Sequence, residues 1–212
     1  DLSRADLHAA QAPHTSDGAY VYAGTCRDLD KSEREELSKH KIPATRIRVP
    51  NKTYAFEDKV YGQTSQNLSK LCGDFIVQRA DEVFAYQLAV VVDDADMGVT
   101  EVVRGSDLLS STPRQLYLQD VLGFSHPIYA HLPLLVAPDG RRLSKRNHDL
   151  DLGVLRDQGK TPEEILGFLA YCIGLAEKEE PLSAVQVANR FSWNVLRAHR
   201  KNVVVEHFSH VL

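Results

Sequence analysis

Hydrophobic and polar positions alternate over residues 46–49 and 53–56, which predicts two short strands. Residues 74–78 (DFIVQ) predict a third strand, and residues 100–103 (TEVV) a fourth that runs into Arg104-Gly105. Residues 84–92 are almost continuously apolar, which predicts a buried element. Residues 128–136 form another strand-like run, closed by the turn Pro138-Asp139-Gly140. Helical signals fill much of the remainder. Residues 30–40 are charged and helix-friendly, with Asp30 or Ser32 as the N-cap. Ser111-Thr112-Pro113 opens a helix that carries Leu116, Leu118 and Leu122 and stops at Gly123. Thr161-Pro162-Glu163-Glu164 combines a cap, a first-turn proline and two acids at the positive end of the helix dipole. An apolar helical face succeeds it: Ile165, Leu166, Phe168, Leu169, Cys172 and Ile173. Ser183 caps another short helix, residues 1–11 read as a helix, and residues 12–19 as a loop. The pattern is α/β or α+β at first and helical toward the end.

Composition narrows the class. At 212 residues and 43% hydrophobic content, the chain can bury a core, and its longest apolar run, residues 88–92, is far too short to span a bilayer. A cytoplasmic protein with no membrane partner is expected. With 25 basic and 29 acidic residues the formal net charge is −4, so any contact with nucleic acid must use local basic patches. Three cysteines, Cys26, Cys72 and Cys172, are too scattered and too few for a disulfide framework, which favours a reducing compartment.

Three places could hold chemistry. Arg141, Arg142, Lys145 and Arg146 put four cations around Ser144 just after the Pro-Asp-Gly turn. Such a loop can hold nucleotide phosphates, with lysine neutralising a leaving pyrophosphate; the plainer reading is a solvated basic turn. Arg104 falls at a strand end, where open α/β sheets bind ligands, and its fork suits a carboxylate, with Tyr86 offering a hydroxyl. The plainer reading packs Tyr86 in the core and pairs Arg104 with Asp107 or Asp93. Tyr22 and Cys26 are two possible metal donors, yet zinc needs four, and only His8 and His14 stand nearby. Cys72 and Cys172 read as core. Asp93, Asp94 and Asp96 could hold Mg²⁺ or cap the next element, and capping is the simpler role. No Walker A loop, GxGxxG run or HExxH pattern occurs.

Together these segments resemble the glutamyl branch of the class I aminoacyl-tRNA synthetases. The likeness is strongest from Gly73 to Asn147, and RLSKR at 142–146 is similar to the Lys-Met-Ser-Lys-Ser signature. The resemblance implies an α/β fold: residues 1–82 as an α+β connective insertion with a degenerate zinc region, 83–136 as the second half of the Rossmann-type catalytic domain, and 137–212 as the signature loop and a helical C-terminal region. It implies that Tyr86 and Arg104 hold glutamate, that Lys145 and Ser144 act in catalysis, and that Lys145 and Arg142 bind ATP, with Mg as its companion ion. Asp107 in RGSDLL is a weaker candidate beside them. Tyr22 and Cys26 in YAGTC match the last two zinc ligands of a short paralogue of glutamyl-tRNA synthetase. The implied activity is activation of glutamate with ATP and its transfer to queuosine in the anticodon loop of tRNA(Asp), by a monomer.

The chain also departs from that pattern. Asp1-Leu2-Ser3 stands where the family has a Cys-x-Cys pair, so two zinc ligands are missing. No His-x-Gly-His or Pro-Ser-Pro-Thr-Gly type segment occurs, and the first residue is Asp1. The expectation is a portion of a longer enzyme, inactive if the chain were complete. The short tail after Arg146 and the STPRQLYLQ helix favour the short paralogue. A clipped glutamyl-tRNA synthetase and a non-catalytic RNA-binding protein on the same scaffold are the alternatives.

Overall fold

A computed structural model describes residues 21–22, 24–143 and 152–205. The expectations for residues 1–19, including His8 and His14, and for Ser144, Lys145 and Arg146 fall outside the described residues. The elements in chain order are α1 (Lys31–Ser38), β1 (Thr45–Ile47), β2 (Thr53–Asp58), β3 (Gly62–Asn67), α2 (Leu68–Leu71), β4 (Phe75–Gln78), α3 (Tyr86–Asp96) and β5 (Glu101–Gly105). A 3-10 turn (Ser106–Ser111) leads into α4 (Thr112–Leu122), then β6 (Ile128–Leu132), β7 (Leu135–Val136), α5 (Leu152–Asp157), α6 (Pro162–Cys172), α7 (Ala184–Arg190), α8 (Trp193–Ala198) and β8 (Val203–Val204). Two compact units result. Among the described residues, those up to 57, 63–102 and 108–128 make the first, and residues 58–62, 103–107 and those from 129 onward the second.

In the first unit β3 neighbours β2; in the second β5 neighbours β6, and Asp58 at the end of β2 lies opposite Tyr129 of β6 in a parallel pair. In the first unit, β1 and β4 pair antiparallel with an irregularity between Thr45 and Arg46. In the second, β7 and β8 pair parallel, Leu135 opposite Val203 and Val136 opposite Val204.

Local signals explain several helix starts. Asp30, not Ser32, caps α1 by accepting from the Glu33 amide at 2.9 Å, while the Glu33 carboxylate accepts from the Asp30 amide at 2.8 Å. Thr161 with Glu164 and Ser183 with Gln186 build the same reciprocal box at α6 and α7. At α4 the expected side-chain cap is not made: Ser111 is already in helical conformation because the 3-10 turn delivers the chain into the helix. Gly123 ends α4 in the left-handed region, φ 73°.

Four expectations are corrected. Residues 84–92 do not form a buried element: α3 buries only Val91, and Phe84, Tyr86 and Val92 are exposed. Residues 128–136 form two strands, β6 and β7, parted at Pro133, which cannot donate to a ladder. Asp93, Asp94 and Asp96 lie inside α3, so they do not cap the next element. The C-terminal part is helical but also contributes β8.

The second unit buries Leu155, Phe168 and Val205 together, with Leu135, Leu143, Ile165 and Cys172 packed against them. That packing pushes the Cys172 thiol up to about 11, burial first and the nearby Glu179 second. A second cluster joins Ala170, Leu175, Ala176 and Leu182. Cys72 is buried, as its apolar context predicts.

Candidate functional site

Arg104 projects from the end of β5, and its partners come from β6 and the end of β2, all within the second unit. Tyr129 and His131 are two apart on β6, which puts them on one face of the strand. Their rings lie 6.1 Å apart and nearly parallel, at 15°. The Arg104 guanidinium sits 5.3 Å from the Tyr129 ring centroid, within cation–π range. Arg104 Nε donates to His131 Nε2 at 3.0 Å. On the other side of the imidazole, Nδ1 is 2.6 Å from Asp58 Oδ2. His131 and Asp58 are buried, their side chains at 0% exposure.

Asp58 is the anchor of this row. Its Oδ1 accepts from the amides of Val60 and Tyr61, each at 2.9 Å, closing the turn after β2. Its Oδ2 also accepts from the His131 amide at 3.1 Å. Burial works against the charge of Asp58, but the hydrogen bonds from His131, Tyr61 and Val60 outweigh it and hold the carboxyl below its ordinary range.

Arg104 bonds His131, while Asp107, one of the two acids considered as its partner, pairs with Arg142. Arg142 is fixed by its backbone, which bridges to Val136 next to the turn where the Gly140 amide donates to Ala137 at 2.8 Å. Gly105 makes room for Asp107, since a Cβ at Gly105 would lie 2.6 Å from Asp107 Oδ1. Tyr86, the first residue of α3, is in the first unit and 52% exposed, so it is not packed in the core.

Tyr22 and Cys26 come together in the first unit: the Cys26 amide donates to the Tyr22 hydroxyl at 2.6 Å, and the Cys26 side chain also meets the phenol. The Arg46 guanidinium lies 4.3 Å from the Tyr22 ring centroid, and burial raises the Tyr22 phenol above its ordinary value. Among the described residues no group of three or more His, Cys, Asp or Glu could hold a metal ion. The described donors therefore do not fit a zinc site by themselves. Beside them lies a cavity of about 860 Å³ whose lining, among the described residues, sets Arg27, Arg34, Lys41, Arg46, Arg48 and Arg79 against the carboxylate of Asp74. Arg27 grips Asp74 with Nε and Nη2, each at 2.7 Å.

Asp58 and His131 were not singled out by sequence. Asp58 lies two residues beyond the strand that alternation predicts, and His131 is a lone histidine in an apolar run. They are 73 residues apart, so no local spacing joins them.

Residues 5–209 match the family of class I tRNA synthetases (E and Q), catalytic domain, and the chain belongs to that family. Within it, the chain is 49% identical over 184 residues to the glutamyl-Q tRNA(Asp) synthetase of Symbiobacterium thermophilum, covering 85% of this chain and 56% of that protein. It is 42% identical over 226 residues to the protein of the same name from Rhodopirellula baltica, covering 97% of this chain and 68% of that one. The chain spans about half the length of the first curated relatives it matches. A solved glutamate tRNA ligase from Elizabethkingia meningosepticum superposes with a TM-score of 0.72 at 25% identity, over 95% of this chain and 44% of that one.

Proposed function

We propose that this protein activates glutamate with ATP and transfers it to queuosine in tRNA(Asp). The observation that carries the reading is the 49% identity to a glutamyl-Q tRNA(Asp) synthetase across 85% of the chain. The class I family uses ATP with magnesium. In the first step the carboxylate of glutamate attacks the α-phosphorus of ATP, and pyrophosphate leaves. In the second the glutamyl group passes to queuosine and AMP leaves. Arg104 and Tyr86 hold glutamate, and positioning of this kind contributes several kcal/mol to the barrier. Lys145 and Ser144 stabilise the charge that develops on the departing phosphates, and Arg142 binds ATP beside them. Supporting the role of Arg104 is its place at a strand end with a guanidinium already held on one edge.

The basic cavity of the first unit lies against the RNA, and the protein works as a cytoplasmic monomer. Among the described residues no helix is long and apolar enough to cross a membrane. Tyr22 and Cys26 remain the two candidate zinc donors; metal analysis of the purified full-length protein tests them, and one zinc per chain would require donors beyond the described set.

The decisive assay compares glutamylation of queuosine-containing tRNA(Asp) with that of tRNA(Glu), the acceptor favoured by the alternative reading as a clipped glutamyl-tRNA synthetase. Charging of tRNA(Asp) only when queuosine is present supports the proposal, and charging of tRNA(Glu) alone overturns it. Lys145→Ala in the full-length protein should slow glutamate-dependent ATP–pyrophosphate exchange by about a hundredfold or more. Unchanged exchange would remove its assigned role.

A further inference from the structure

We infer that Asp58 and His131 are positioning residues for substrate recognition: they fix the tautomer of the imidazole so that it accepts from Arg104 and sets the plane of the guanidinium. The inference rests on the reading of Arg104 as the group that holds the glutamate carboxylate.

An arginine side chain only donates, so the 3.0 Å contact from Arg104 Nε requires a lone pair on His131 Nε2. The ring proton therefore resides on Nδ1, where Asp58 Oδ2 accepts it at 2.6 Å. An imidazolium, or the other neutral tautomer, would turn an N–H toward the guanidinium N–H. Asp58 can enforce this choice because it is itself immobile, held by the amides of Val60, Tyr61 and His131. Burial of both side chains keeps water from substituting for either partner. Tyr129 supplies the last restraint, its ring lying beside both the imidazole and the guanidinium. The row from Asp58 through His131 thus orients the Arg104 fork before any ligand arrives, which lowers the ordering cost of gripping a carboxylate.

Two measurements test this separately from the underlying function. In the unmodified full-length protein, ¹⁵N NMR of the histidines should show His131 protonated on Nδ1 with an acceptor-type Nε2, whatever the substrate proves to be. A proton on Nε2 overturns the inference. The second measurement is the glutamate KM in ATP–pyrophosphate exchange. His131→Gln places an amide oxygen near the Nε2 position and keeps an acceptor for Arg104. His131→Asn places an amide nitrogen near Nδ1 and keeps only the donor to Asp58. The expected result is a KM within about threefold of the unmodified protein for H131Q, and a rise of about tenfold or more for H131N with kcat changed less. A merely structural role would lower the melting temperature without splitting the two variants. Equal KM values in both variants therefore overturn the inference. If neither variant folds, the His131 Nε2 resonance decides: it shifts on saturation with glutamate, and a signal that does not respond overturns the inference. Failure of the unmodified protein to activate glutamate would instead remove the proposed function, and the tautomer result would still stand or fall by itself.

Discussion

Asp74 shows how much a single carboxylate holds in place. It is buried, grips Arg27 by two bonds of 2.7 Å, and accepts from the Val49 amide at 2.9 Å. Burial opposes its charge, but the Arg27 and Val49 bonds outweigh it, so its carboxyl sits below the ordinary value, as does that of Asp58. A depressed folded-state pKa gives stability that is complete above the unfolded value, near pH 4, and is lost as pH falls through the folded value. Acidification should therefore lower the melting temperature steeply below about pH 4. Asp74→Asn should cost about 1–3 kcal/mol at neutral pH and flatten that acid limb. Thermal melts of both proteins from pH 7 to pH 3 check it, and parallel curves would contradict the assignment. Arg104 carries the complementary prediction for activity. Lysine there keeps the charge but loses the fork, so Arg104→Lys should raise the glutamate KM about tenfold or more in the exchange assay. This arginine was legible in the sequence because a strand end before a glycine is a local signal. The partners that orient it were not, because Asp58 and His131 meet only through the parallel pairing of β2 with β6.

At the scale of elements, legibility followed the range of the signal. The caps at Asp30, Thr161 and Ser183 could be read because each box closes within three residues. Strand β3 is polar throughout, GQTSQN, and gives no apolar alternation to read. The exposure of α3 was equally hidden, since an apolar run does not say whether a neighbour covers it. Helix α6 depends on one such close neighbour. A Cβ on Gly167 would come within 1.8 Å of the Glu180 carbonyl oxygen, and the Leu182 amide donates to the Glu163 carbonyl at 2.9 Å. The chain at 180–182 thus lies directly on the helix backbone. A backbone oxygen cannot swing aside as a side chain can, so Gly167→Ala should destabilise by about 3 kcal/mol or more. Denaturant unfolding of the full-length variant measures this, and a loss under about 0.5 kcal/mol would mean that the segment can lift away.

For the whole molecule, charge is the property that constrains the tRNA contact of the proposed function. A chain with net charge −4 gains nothing from overall attraction to phosphate, so affinity for tRNA must come from where cations are concentrated. In the first unit, six basic side chains line a cavity whose one carboxylate among the described residues, Asp74, is already engaged by Arg27. Besides the basic loop at 141–146, assigned above to ATP, the second unit offers Arg197 and Arg200, but Arg197 Nε donates to the Lys59 carbonyl at 2.7 Å and the Arg200 carbonyl accepts from Tyr61 at 2.9 Å. These bonds tie that segment to the turn after Asp58, which gives it a structural task. The tRNA should therefore respond to the first unit. Arg34 and Lys41 are exposed members of the cavity lining. Replacing both with alanine should weaken tRNA binding and reduce the slope of log affinity against log salt by about 1 for each phosphate no longer neutralised. Arg197→Ala should leave that slope unchanged and lower the melting temperature instead. Filter binding across a salt series decides between them: a slope that falls for Arg197→Ala, and not for the Arg34 and Lys41 double variant, would move the RNA contact to the second unit.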